Sequence, residues 1–96
     1  PVPAADRIGE ELEVVITGVH EYGFFGQAQT LPIEGRVHVS TLTDDYYYYE
    51  AVSHSLTGRR TKRRFRLGDK VKVRVVRVDL QRQQLDFQLA EARRRK

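Results

Sequence analysis

Few side chains in this sequence suit bond-making chemistry, and those that stand out suit binding. The chain has no cysteine, so a thiolate nucleophile, a disulfide and a thiolate metal site are all excluded. Its histidines, His20, His38 and His54, do not fall at the paired spacings of a metal site. Asp44 and Asp45 are adjacent, and on an extended segment neighbouring side chains point to opposite faces, which makes them a poor metal clamp. Neither a nucleophile elbow nor a Walker-type phosphate loop occurs. No catalytic residue, metal or cofactor is therefore expected, and the chain reads as a binding module rather than an enzyme.

Charge suggests what it binds. The 17 Lys and Arg outweigh 13 Asp and Glu, a formal net charge of +4, and the excess is uneven. Between Arg59 and Arg77 the only acid is Asp69, set among Arg59, Arg60, Lys62, Arg63, Arg64, Arg66, Lys70, Lys72, Arg74 and Arg77. Such a local field attracts polyanions, phosphate chains above all, although a solvated basic loop has the same composition. Exposed aromatics are the second ingredient of single-strand nucleic-acid binding. Tyr22 and Phe25 are candidates for base stacking, with core packing as the alternative for both. Phe24 is the better core residue, because a bulge or twist is needed to bring Tyr22 and Phe25 to one face. Of Tyr46, Tyr47, Tyr48 and Tyr49, at least two are expected to pack rather than stack on a ligand.

The elements that must position these residues read as strands. Leu12, Val14 and Ile16 alternate with Glu13, Val15 and Thr17, and Gly18 falls where a small barrel coils sharply. Tyr22 to Gly26 reads as a second strand and Gly35 to Ser40 as a third, with Gln29 to Pro32 as the loop between them. In the fourth, Val71, Val73 and Val75 alternate with polar neighbours before the phase slips at Val76 and Val78, as a bulge would produce. A turn through Leu80 to Gln83 leads to Leu85, Phe87 and Leu89 in the last strand. The expected fold is all-β: a small five-stranded barrel with an inserted segment, Thr41 to Leu67, between the third and fourth strands. That segment is expected to hold turns and irregular strands. Residues 1–7 are expected to be a disordered lead-in, 8–90 the domain and 91–96 a basic tail. With no membrane-spanning run or signal peptide visible, a cytoplasmic protein with no membrane association is expected, monomeric in isolation.

The spaced motifs carry a resemblance. Glu21-Tyr22-Gly23-Phe24-Phe25, Gly35-Arg36-Val37-His38-Val39-Ser40, Leu67-Gly68-Asp69-Lys70-Val71 and Val78-Asp79 together resemble the S1 RNA-binding domain, from about Ile8 to Leu89. More narrowly, Thr41 to Tyr47, Leu56-Thr57-Gly58, Arg64 to Asp69 and Leu85 to Leu89 resemble the C-terminal S1 domain of bacterial ribonuclease R and its ribonuclease II relatives. The resemblance implies that the barrel is an OB-fold and that the module grips single-stranded RNA with low sequence specificity. It would work beside an adjacent catalytic domain of a 3′-to-5′ exoribonuclease, where the metal-binding carboxylates lie.

It also implies residue roles. Tyr22 and Phe25 match the stacking positions, and His38 matches a histidine that stacks or donates to phosphate or sugar. Asp79 matches an aspartate that accepts from a 2′-hydroxyl or orients a cation. The family's basic residue before the last strand is Gln84 here, with Arg82 the nearest cation. Arg36, Lys72 and Arg74 are candidates for tracking the backbone, or for a solvated strand edge. The rival reading is a protein-interaction barrel using the tyrosine cluster as an aromatic cage and the basic loop as a docking face.

Overall fold

The computed structural model describes residues 7–90. Alternating apolar positions produce the strands β1 (Glu11–His20), β2 (Gly23–Ala28), β3 (Glu34–His38), β7 (Lys70–Asp79) and β8 (Gln84–Leu89). These close into a barrel in the order β1-β2-β3-β8-β7, with β3 and β8 parallel and the other neighbours antiparallel. The expected five-stranded barrel is therefore present. Its interior is filled by Val14, Ile16, Phe24, Val37, Val73, Val75 and Phe87, all essentially inaccessible to solvent. The basic tail expected over residues 91–96 lies outside the described residues, as does the lead-in apart from Arg7. Arg7 forms an ion pair with Glu10 at 2.8 Å. Among the described residues no helix is long and apolar enough to cross a membrane.

Two bulges decide which side chains reach the surface. In β1 the pairing with β2 slips between Ile16 and Gly18. Leu12, Val14 and Ile16 are buried before the slip and Val19 after it, so the alternation changes phase. Gly18 and His20 are turned outward as a result, and β1 continues to His20 instead of stopping near Gly18. In β7 the pairing with β8 slips between Val75 and Arg77, at the Val76 position where the apolar pattern changes step. That bulge turns Arg77 outward.

The inserted segment is more regular than expected. After a 3-10 turn at Val39–Thr41 it forms β4 (Tyr47–Glu50), β5 (Ser55–Gly58) and β6 (Arg64–Arg66), an antiparallel three-stranded sheet. Leu56 and Phe65 are its buried apolar residues, and the Phe65 ring stacks on Phe24 at 5.1 Å, joining the sheet to the barrel core. Tyr47 and Tyr49 pack against this core, whereas Tyr46 and Tyr48 are exposed, which matches the expectation of packing for two of the four.

A single carboxylate ties the sheet's loops together. The Asp45 side chain is wholly covered. It accepts hydrogen bonds from the backbone of Tyr46 (2.7 Å), Arg60 (3.0 Å) and Thr61 (2.8 Å) and from the Thr61 hydroxyl (2.9 Å). The Thr61 N–H, with the other donors, outweighs the opposing effect of burial and holds the Asp45 carboxyl down at about 2. Burial pushes the Tyr47 hydroxyl up to about 12, helped by its hydrogen bonds to both Asp44 carboxylate oxygens at 3.0 Å. Asp44 also lies 3.5 Å from Arg63.

Candidate nucleic-acid interface

Strand registry arranges the outward residues in rows across the barrel. One row runs Gly18 (β1), Phe25 (β2), Arg36 (β3), Asp86 (β8) and Arg77 (β7), each the partner of the next. A parallel row holds His20, Gly23 and His38. Gly23 is dictated by geometry, since a Cβ there would collide with the Val37 carbonyl oxygen. It also leaves the position opposite His38 without a side chain. Tyr22 sits in the turn just before β2, and its carbonyl accepts the Val39 N–H at 2.8 Å, fixing the turn against the end of β3.

Three rings converge here. Tyr22, 49% exposed, stacks on the His20 imidazole with centroids 5.0 Å apart and planes within 2°. Phe25, half-buried, meets both edge-on, at 6.3 Å from Tyr22 and 5.7 Å from His20. Phe24, by contrast, is 1% exposed and points into the core, the division expected between the two phenylalanines. His20 thus covers one face of Tyr22 and Phe25 lies perpendicular to both rings, while about half of Tyr22 stays exposed. A base stacked on such a ring contributes about 1–3 kcal/mol whatever its identity.

Beside the rings, Arg36 and His38 are half-buried on β3. The Asp86 carboxylate lies between two guanidinium groups, 3.4 Å from Arg36 Nε and 3.2 Å from Arg77. Arg36 is thereby held across the sheet from Phe25, while Arg77 is more exposed. Tyr22, Phe25, Arg36 and His38 therefore share one continuous surface.

The other candidates lie elsewhere. Asp79 ends β7 and Arg82 lies in the turn that follows, where the Arg82 N–H donates to Asp79 Oδ1 at 3.1 Å and the side chains approach to 3.9 Å. Asp79 pairs in register with Gln84, in the row beyond Asp86 and Arg77. Arg74 bonds Glu11 across β1 at 3.0 Å, and Lys72 pairs in register with Glu13. Among the described residues no three His, Asp or Glu side chains are grouped so as to hold a metal ion.

Two residues of this surface, His20 and Arg77, escaped the sequence reading of the site. Plain alternation from Leu12 to Ile16 turns His20 inward, and only the bulge at Thr17 reverses it. Its position two residues before Tyr22 was the available signal. Arg77 depends in the same way on the Val76 bulge.

The family model of the S1 RNA binding domain matches residues 5–89. A ribonuclease R from Vibrio cholerae is 46% identical over 90 residues, covering 94% of this chain and 11% of the relative. A ribonuclease R from Aquifex aeolicus is 48% identical over 85 residues, covering 88% of this chain and 12% of the relative. The chain thus spans about a ninth of the length of these nucleases. Among solved structures, Mycoplasma genitalium RNase R in complex with ribose-methylated single-stranded RNA superposes with a TM-score of 0.82 at 21% identity, over 90% of this chain and 13% of that one.

Proposed function

The chain belongs to the S1 RNA-binding domain family, and from that premise we propose that it grips single-stranded RNA on the His20–Tyr22–Phe25 shelf with little regard for base sequence. The observation that carries this reading is the convergence of three outward rings beside Arg36 and His38 while the adjacent Phe24 fills the core. The exposed part of the Tyr22 ring takes a base. Phe25 offers a second apolar edge, and His38 and Arg36 supply donors to phosphate or sugar oxygens. Stacking on a ring tolerates any base, and contacts to phosphate and sugar carry no sequence, so affinity follows stacking and charge rather than sequence.

In a longer protein the domain would hold substrate while its 3′ end feeds an adjacent catalytic domain of the ribonuclease R type, acting in the 3′-to-5′ direction in the cytoplasm. The similarity to ribonuclease R over nearly all of this chain supports that placement. The isolated domain is monomeric in this proposal. Its own affinity is modest, because tight binding in such proteins is assembled from linked modules. Asp79, Arg82, Lys72 and Arg74 are outlying contacts at most, because they lie off the surface that carries the three rings.

The test is a fluorescence anisotropy titration of labelled single-stranded RNA and the matching DNA, each at low and moderate salt. Saturable RNA binding that weakens with salt and is poorer for DNA is the expected result. Absence of RNA binding at low salt would overturn the proposal in favour of a protein-binding face.

A further inference from the structure

A groove between β6 and the start of β7 is lined by Arg63, Arg64, Asp69, Lys70, Val71 and Lys72 over the buried Phe65. Its one acid is already engaged: Asp69 accepts the Arg66 N–H at 3.0 Å and lies 3.5 Å from Arg66 Nε. Arg63 lies 3.5 Å from Asp44 and over the Phe65 ring at 4.9 Å. Lys72 faces Glu13 in register. Arg64 and Lys70 stand differently. Both are exposed, their strand partners are Thr57 and Val15, and neither makes an ion pair among the described residues. Two uncompensated cations in a polar groove attract an anion and have no internal work to do.

The groove lies one strand away from the aromatic shelf, across β1. Phe25 pairs with Gly18 on β1, and Val15, further along the same strand past the bulge, pairs with Lys70. Two interstrand steps of about 4.8 Å and a three-residue step of about 10 Å, shortened somewhat by the bulge, put Lys70 within roughly 14 Å of Phe25 along the surface. A strand stacked on Tyr22 and leaving across β1 arrives there within a few nucleotides. A protein partner would call for an exposed apolar anchor in the groove, but of its lining Phe65 is buried and Val71 half-buried, and the exposed Leu67 of the adjoining turn lies outside it.

Building on the reading of the shelf as an RNA site, we infer that this groove is a second, phosphate-binding subsite. Arg64 and Lys70 hold the backbone of the same RNA strand beyond the stacked bases, so affinity grows with RNA length.

The experiment compares labelled RNAs of about four and about twelve nucleotides, within the site sizes of OB-folds, on the full chain and on R64Q/K70Q across a salt series. Both positions are exposed, and a thermal melt checks that the variant is folded. The wild-type chain should bind the longer RNA more tightly and with a steeper salt dependence. The variant should lose that advantage, its slope of log affinity against log salt becoming shallower by about 1.4 for two phosphates, while its binding of the short RNA is unchanged. An unchanged slope for the longer RNA would overturn the inference and leave the groove to an acidic protein surface. Equal weakening for both lengths would also overturn it, since the groove would then not be a separate subsite. If the wild-type chain binds neither RNA, the shelf reading itself fails.

Discussion

Phe24 and Phe25 are chemically identical neighbours that should fail in opposite ways when replaced by alanine. Phe24 is 1% exposed, and its ring stacks on Phe65 at 5.1 Å, at the junction between the barrel and the inserted sheet. Removing it opens a cavity at that junction, and such truncations cost about 3–5 kcal/mol. A small domain has only about 5–15 kcal/mol of stability in total. At roughly 4–8 °C per kcal/mol, the melting temperature should fall by about 12–40 °C. Phe25 lies outward against His20 and Tyr22, so F25A removes a stacking surface instead of a core wall. Its expected loss is about 1–3 kcal/mol of RNA affinity, roughly 5- to 150-fold, with a much smaller change in melting. Thermal or urea unfolding supplies one axis and RNA anisotropy, corrected for the folded fraction, the other. If F25A destabilises the domain as severely as F24A while binding RNA undiminished when folded, the division of the two rings between core and surface is refuted.

Three further outcomes follow from the same geometry. The Asp45 carboxyl is held at about 2 against an ordinary 3.8, so its contribution to stability is complete above pH 3.8 and disappears as pH falls through about 2. D45N should therefore be less stable than the native chain at neutral pH, with the difference in urea midpoint narrowing at the acid end. The Tyr47 hydroxyl is raised from 10.0 to about 12, so its contribution is complete below pH 10 and lost as pH rises through about 12. Y47F should flatten that alkaline limb of the unfolding profile. Asp86 neutralises both Arg36 and Arg77; D86N should tighten RNA binding and steepen its salt dependence, and an unchanged or weaker affinity would show that neither arginine meets phosphate.

The barrel was legible because its strands are governed by alternation. Val14 and Ile16, Val73 and Val75, Leu85 and Phe87 each declare an inward face, and the phase slip at Val76 announced its own bulge. The bulge at Thr17 left no such trace, because only one apolar residue, Val19, follows it inward before the strand ends. His20 went unread for that reason. The inserted sheet was harder still. Its strands have three or four residues, and β5 buries Ser55 and Thr57, whose hydroxyls bond each other at 3.1 Å. A buried pair of hydroxyls looks polar in the sequence, and only the neighbouring chain reveals that the two satisfy each other. Asp45 is a similar case. Beside Asp44 it resembled half of an acidic pair, whereas its four donors come from both ends of the insertion. Side chains that belong to long-range hydrogen-bond sets leave little periodic signal, whereas those that fill a barrel leave a strong one.

The proposed site places RNA on the outward face formed by His20, Tyr22, Phe25, Arg36 and His38. Amide chemical-shift mapping by heteronuclear NMR, with unlabelled single-stranded RNA added to the isotope-labelled chain, tests it most directly. The largest shifts should fall at residues 18–25 and 36–39, with smaller ones towards Lys70. Shifts confined to the turn at Asp79–Arg82 or to Tyr46 and Tyr48, with residues 20–25 and 36–38 unmoved, would contradict it.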